Sequence, residues 1–247
     1  MKGAGRSGDA GQSGDAGHAG QSGQAFGVVV TDLDRTFTAV DLSLDPEALA
    51  TARRLRQAGV VCILATGRRA QDLAGWPALQ EAFDGFVLEC GAVWGRWGDL
   101  RVTSPHTSGV HAVAAALAAQ GCDVEEGLAS CSLPADWSDR LEARPERPLV
   151  SVQPNRDRID VVPAGVDKAA GLRRLLDHLG LAGARLLTIG DGENDLPVFA
   201  IADRAVAVAN AAAVVRQAAD LVAPRPAAAG FVWAVRSLAA APLEEAP

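Results

Sequence analysis

Five stretches of this 247-residue chain are apolar with hardly a break: residues 26–33 (FGVVVTDL), 60–65 (VVCILA), 85–89 (GFVLE), 185–189 (RLLTI) and 205–209 (AVAVA). A strand with one wet face alternates apolar and polar residues, so continuous runs of this kind require cover on both faces. Helical signals fill the gaps. Asp45 stands as an N-cap before Pro46, with Leu49, Ala52 and Leu55 on one face and Gly59 as the stop. Residues 166–179 and the segment after Asn194 also read as helix. Strands alternating with helices predict an α/β fold, a Rossmann-like parallel sheet with helices on both sides.

Residues 92–160 break the rhythm. They hold a Trp-rich hairpin-like piece (AVWGRWGDLRV), an Ala-rich helix over 110–120, a Pro/Ser/Asp/Arg-rich loop near 132–148, and strands near 149–153 and 158–162. The expectation is a small α+β module at 92–160, inserted into a core domain formed by 26–91 and 161–247. Residues 1–25 are almost all Gly, Ser, Ala, Gln and Asp, with GQSG and SGDAG each appearing twice. Such a segment buries too little apolar surface to offset its chain entropy, and a disordered tail is expected.

Ligands of open parallel sheets bind beyond the carboxyl ends of the strands. At those ends stand Asp32 and Asp34, then Thr66-Gly67-Arg68, then Gly190-Asp191-Gly192-Glu193-Asn194-Asp195. Residues i and i+2 of a strand point the same way, so Asp32 and Asp34 can address one site. Asp191 and Asp195 leave another strand toward the same rim. Acidic residues also cap helices and decorate turns, and any one of these alone carries little. Four converging carboxylates call for a hard divalent cation, and Mg²⁺ with an incomplete protein shell leaves room for a phosphate oxygen and water. The pattern therefore predicts a Mg²⁺-dependent phosphoryl-transfer site.

DLDRT (32–36), ATGR (65–68), the lysine of GVDKAAGL (165–172) and GDGEND (190–195) together resemble the four ordered motifs of the haloacid dehalogenase (HAD) superfamily of phosphatases. The resemblance covers residues 26 to about 235. Asp32 and Thr66 are 34 positions apart and Thr66 and Lys168 are 102 apart. The insert thus falls where the superfamily's C2 cap sits, as in the Cof-like, or IIB, subclass. The resemblance implies that Asp32 is the nucleophile, forming an aspartyl phosphate, and that Asp34 moves the proton. It implies phosphate binding by the Thr66 hydroxyl and backbone N–H, Gly67, Lys168 and Asn194. The metal would be held by Asp32, the Asp34 carbonyl and Asp191, with Asp195 orienting its shell.

Two positions depart from the family pattern. Arg35 stands where glycine is usual, and either recruits an anionic substrate or makes a surface salt bridge. Cys90 stands in ECGA where Cof-like relatives read NGA; no histidine is near it in sequence to activate it as a nucleophile. Specificity falls to the insert, where Arg156 and Arg158 are the main candidates, with Arg96, Arg101 and Asn155 behind them. Trp94 and Trp97 suit core packing, with sugar stacking as the alternative.

The net charge of −7 argues against nucleic acid as the main partner. No apolar run is long enough for a membrane span, and no apolar run follows Lys2 and Arg6 as in a secretory signal. Four cysteines without CxxC spacing suit a reducing cytoplasm, with Cys62 a small buried hydrophobe. The oligomeric state is not legible. The expected function is hydrolysis of a small phosphorylated metabolite, foremost a sugar phosphate. The alternatives are a phosphoglycolate-type phosphatase, a phosphosugar mutase on the same scaffold, and a non-catalytic module with this fold.

Overall fold

A computed structural model of the protein describes residues 26–104, 107–155 and 157–239. The tail expected at 1–25 and the specificity role expected of Arg156 fall outside the described residues.

The apolar runs become strands β1 (Val28–Thr31), β2 (Val61–Ala65) and β3 (Gly85–Leu88). A hairpin follows, β4 (Val93–Arg96) and β5 (Asp99–Val102). Next come β6 (Glu125–Glu126), β7 (Cys131–Pro134), β8 (Val150–Asn155) and β9 (Arg158–Pro163). The chain closes with β10 (Leu186–Gly190), β11 (Arg204–Ala207) and β12 (Leu221–Val222). The large sheet has the order β12-β11-β10-β1-β2-β3-β4-β5 and the small one β6-β7-β9-β8. Every pairing from β12 to β3 is parallel.

Both faces of the large sheet are covered, as the continuous apolar runs require. Val29, Cys62, Leu64 and Leu187 pack into one cluster, and Val28, Val30, Ile63 and Leu186 into another on the opposite face. The helix Pro46–Gln57 covers the first face with Ala48, Ala52 and Leu55. Asp45 caps it, accepting from the Glu47 and Ala48 N–H groups at 2.8 and 2.9 Å. The helix Lys168–Leu179 covers the second face with Leu172, Leu175 and Leu176, and stops at Gly180 with φ +71°.

The insert has its own core, in which Val110, Val113 and Leu117 of the helix Ser108–Ala118 meet Leu133, Ile159 and Val161 of the small sheet. Three expectations about this region change. The hairpin β4–β5, assigned above to the insert at 92–160, pairs antiparallel with β3 and extends the large sheet. The cause lies just before it, where Glu89, Cys90 and Gly91 have φ of 51°, 53° and 96° and turn the chain back on β3. Trp94 accordingly packs under the Lys168 helix beside His178 as a core residue, and Trp97, half-buried against the core, meets Phe86 edge-on at 5.3 Å. The expected loop at 132–148 contains strand β7 and the helix Ser138–Glu142, because Cys131 and Leu133 alternate inward between Ser132 and Pro134. Strand β9 runs on to Pro163, past the boundary at 160.

Candidate active site

Parallel register brings the strand ends together. Thr31 pairs with Ile189 on one side and Leu64 on the other, so Asp32, Thr66 and Asp191 leave one edge of the sheet as neighbours. The Asp32 N–H donates to the Ile189 carbonyl at 2.9 Å.

Lys168 opens its helix under an N-cap from Asp167, whose carboxylate accepts from the Ala170 N–H at 2.7 Å. Its side chain is fully buried, 0% exposed, unlike an ordinary solvated helix lysine. Nζ donates to Asp32 Oδ1 at 2.7 Å and to Asp195 Oδ1 at 2.6 Å. Burial works against the ammonium charge, yet Asp195 and Asp32 outweigh it and hold Lys168 above its ordinary pKa. Burial pushes Asp32 well above the usual carboxylate range; Lys168 opposes this, while Asp195, Asp191 and Asp34 reinforce it. The other oxygen of Asp195 accepts from the N–H groups of Asp191 and Gly192, both at 3.1 Å, and fixes their loop.

Asp32, Asp191 and Asp195 each bring a carboxylate oxygen within 4.8 Å of the others. Their donor set fits Mg²⁺, which takes hard oxygen ligands. Lys168 touches Asp32 and Asp195, and a divalent cation at the cluster would offset the remaining negative charge. The cation would also return Asp32 to the ionised form a nucleophile needs. The Asp34 side chain is outside the cluster. Its two oxygens accept from Arg68, Oδ2 from Nε at 2.8 Å and Oδ1 from Nη2 at 2.7 Å.

The phosphate-binding expectation for Thr66 is half altered. Its N–H donates to the Val87 carbonyl at 2.8 Å and is committed to the sheet. Its hydroxyl accepts from the Arg68 N–H at 3.1 Å and keeps its own proton for a ligand. A side chain at Gly67 would be crowded, since a Cβ there would lie 3.2 Å from Cys90 Sγ and 3.3 Å from Asp160 Oδ2.

A cavity of about 830 Å³ opens over these groups. Asp32, Asp34, Thr66, Gly67, Asp191 and Asn194 line it from the large sheet; Ser130, Ser132, Asn155, Arg158 and Asp160 line it from the insert. Arg158 reaches the cavity wall, but its guanidinium is occupied by Ser132 and Asp123. Arg101 pairs with Asp99 at 3.0 Å, and Arg96 stands exposed on β4. Arg35 makes no ion pair with a described residue, so the expected salt bridge is not there.

Cys90 is buried, and its thiol donates to Asp160 Oδ2 at 3.3 Å. Burial first, then Asp160, raises its pKa well above the ordinary thiol value, so it stays a neutral thiol and not a nucleophile. Asp160 also accepts from Asn155 Nδ2 at 3.0 Å.

Local sequence reading passed over several members of the site. Arg68 was legible only as part of ATGR. Thr36 donates its hydroxyl to Asp191 Oδ1 at 3.1 Å, and Asn210 donates to the Arg35 carbonyl at 3.0 Å. Glu89 is buried and receives the Leu128 N–H, the Ala129 N–H and the Ser130 hydroxyl at 2.8–2.9 Å, tying the end of β3 to the insert. A buried carboxylate in ECGA was the available signal; its partners are about 40 residues away.

A family model described as haloacid dehalogenase-like hydrolase matches residues 135–235. A phosphoglycolate phosphatase of Natronomonas pharaonis is 31% identical over 225 residues, covering 84% of this chain and 95% of that protein. A chloroplastic endoribonuclease of Arabidopsis thaliana is 38% identical over 100 residues, but the chain spans only 16% of its length. Among solved structures, a HAD subclass IIB sugar phosphatase superposes with a TM-score of 0.70 at 19% identity, over 85% of this chain and 98% of that one. At that identity the likeness is one of fold. No described helix is long and apolar enough to cross a membrane.

Proposed function

The chain belongs to the haloacid dehalogenase-like hydrolases and is a phosphatase, and from that premise we propose that it hydrolyses a small phosphorylated metabolite in a Mg²⁺-dependent reaction through an aspartyl phosphate. The observation that carries this reading is Lys168 buried between Asp32 and Asp195, 2.7 and 2.6 Å from their oxygens, with Asp191 completing the carboxylate cluster.

Asp32, Asp191 and Asp195 would hold the Mg²⁺, which supplies charge neutralisation that lets an anionic nucleophile approach an anionic phosphate. Lys168 holds Asp32 Oδ1, and Oδ2 attacks phosphorus. The Oδ2–P bond forms as the bond from phosphorus to the ester oxygen breaks. Asp34 gives up one of its bonds to Arg68, takes a proton from solvent on the freed oxygen, and passes it to the departing alkoxide. It then takes a proton from water, whose oxygen attacks phosphorus and releases Asp32. The Thr66 hydroxyl and Lys168 stabilise charge on the phosphoryl oxygens.

For the substrate, the 31% identical phosphoglycolate phosphatase supports a phosphorylated hydroxy acid. The sugar phosphate expected from sequence remains a second reading, supported by a cavity of about 830 Å³ whose insert side presents Ser130, Ser132, Asn155 and Asp160. The test is phosphate release from a panel of 2-phosphoglycolate, 3-phosphoglycerate, hexose phosphates and p-nitrophenyl phosphate. Release with Mg²⁺, and none from Asp32→Asn or in excess chelator, is the expected result. Full turnover by Asp32→Asn would overturn it. Conversion of hexose 1-phosphate to 6-phosphate with little free phosphate would point to a mutase instead.

A further inference from the structure

Four arginines line the cavity: Arg35, Arg68, Arg69 and Arg158. Three are committed to the protein's own acids. Arg68 holds Asp34, Arg69 holds Asp72 at 2.8 Å and reaches Glu125 at 3.3 Å, and Arg158 holds Asp123 at 3.1 Å. Among the described residues Arg35 has no acidic partner, and its buried Nε has no hydrogen-bond partner. A buried Nε left so loses hydration without compensation, at a cost a ligand group would remove.

The backbone makes the choice of residue more telling. Arg35 has φ +60°, a conformation glycine adopts freely and a side chain resists. The segment is held there from both sides. The Arg35 N–H donates to Thr38 Oγ1 at 2.8 Å, and its carbonyl accepts from Asn210 at 3.0 Å. Neither bond uses the side chain, so local folding does not call for arginine at this point. An arginine kept in a glycine conformation, facing a cavity without an internal acid to meet, points to an acid that arrives with the substrate.

Its place in the chain says which part of the substrate that is. Arg35 directly follows Asp34, the residue that protonates the departing oxygen. Both residues line the one cavity, and on that basis the anion Arg35 meets is assigned to the leaving group. The planar fork of a guanidinium pairs bidentately with a carboxylate or a phosphate, and the phosphate of the ester is met by the Asp32 side of the site, which leaves the carboxylate for Arg35. We propose that Arg35 is the specificity residue that receives a carboxylate on the leaving group, so that the preferred substrates are phosphorylated hydroxy acids. This rests on the phosphatase reading above.

The test compares 2-phosphoglycolate with 2-hydroxyethyl phosphate, a compact ester in which an uncharged hydroxymethyl group replaces the carboxylate. kcat/KM is measured for both in wild type, Arg35→Gly and Arg35→Lys, with glycine chosen because it takes φ +60° without strain. Wild type is expected to favour the carboxylate ester at least tenfold. Arg35→Gly is expected to cut that ratio at least tenfold, and Arg35→Lys to keep part of it. A ratio unchanged in Arg35→Gly, or a wild type that favours the hydroxyl ester, overturns the role of Arg35 while the phosphatase reading stands. No phosphate release by wild type from either ester or from p-nitrophenyl phosphate overturns both.

Discussion

Arg68 grips both oxygens of Asp34, Nη2 to Oδ1 at 2.7 Å and Nε to Oδ2 at 2.8 Å, with its own guanidinium stacked over Trp76 at 5.0 Å. The clamp joins the residue proposed to move the proton to the loop proposed to bind the phosphate, since the Arg68 N–H also donates to Thr66 Oγ1. Asp34 is thereby aimed before substrate arrives. Arg68→Ala lets the carboxylate rotate, and kcat for an alkyl phosphate is expected to fall roughly ten- to a hundredfold, the scale of a misplaced catalytic group. p-Nitrophenyl phosphate, whose leaving group needs little protonation, should lose much less. Equal losses on the two esters would show that Arg68 does not act through Asp34.

Lys168→Met removes the cation from between two buried carboxylates while keeping most of the side chain's bulk. Breaking a buried pair from one side costs about 3–5 kcal/mol, because the remaining charges stay buried and uncompensated. The variant should melt well below wild type in chelator, and Mg²⁺ should raise its melting temperature by more than it raises that of wild type. kcat should fall roughly a hundred- to a thousandfold, as when one transition-state donor is lost. Wild-type kcat in this variant would remove Lys168 from the chemistry.

Glu89 reaches the insert with three hydrogen bonds, and its main chain backs the phosphate loop as well. The Glu89 N–H donates to the Arg68 carbonyl at 3.1 Å, and the Cys90 N–H to the Thr66 carbonyl at 3.2 Å. One turn therefore sets the insert and the phosphate loop relative to each other, and Ser130, held by Glu89, lines the cavity. Glu89→Ala leaves the buried Ala129 N–H and Ser130 hydroxyl unmatched, a loss of about 1–3 kcal/mol each. KM is expected to rise with a smaller change in kcat at temperatures where the variant stays folded. Glu89→Gln, which keeps one acceptor oxygen, should recover part of the difference. A lower melting temperature with KM unmoved would make Glu89 merely structural.

The parts of this architecture legible in sequence are those that local pattern determines. Val28, Val29 and Val30 are buried on alternating faces, so their continuity announced a covered parallel strand and placed Asp32 at its end. Asp45 and Pro46 announced their helix by cap chemistry alone. What stayed hidden depends on partners far along the chain. Nothing near Arg68 says that Asp34, 34 positions earlier, will occupy it. Nothing near Thr66 says that Val87 will take its N–H. The hairpin β4–β5 was read into the insert because its Trp-rich sequence breaks the helix–strand rhythm. Its true place follows from three successive positive φ angles at Glu89, Cys90 and Gly91, and only glycine among these suggests such a turn.

Gly91 gives the means to separate that turn's strain from its packing. It has φ +96°, and a Cβ built there would lie 1.9 Å from the Asp167 carbonyl oxygen and 2.9 Å from the Lys168 nitrogen. Both atoms are backbone at the start of the Lys168 helix, so they cannot move aside without shifting the lysine. Gly98, in the β4–β5 turn, has nearly the same φ, +90°, but open space where its Cβ would be. The dihedral strain of alanine is of order 1–3 kcal/mol and applies to both positions. Gly98→Ala should therefore lower the melting temperature modestly and leave kcat as it was. Gly91→Ala should lose more stability and, by displacing Lys168 from Asp32 and Asp195, lose kcat by about a hundredfold for a shift near 1 Å. Thermal melts and steady-state rates on the two variants side by side decide it. Matching losses in both would mean that the contact between Gly91 and Asp167 does not position the lysine.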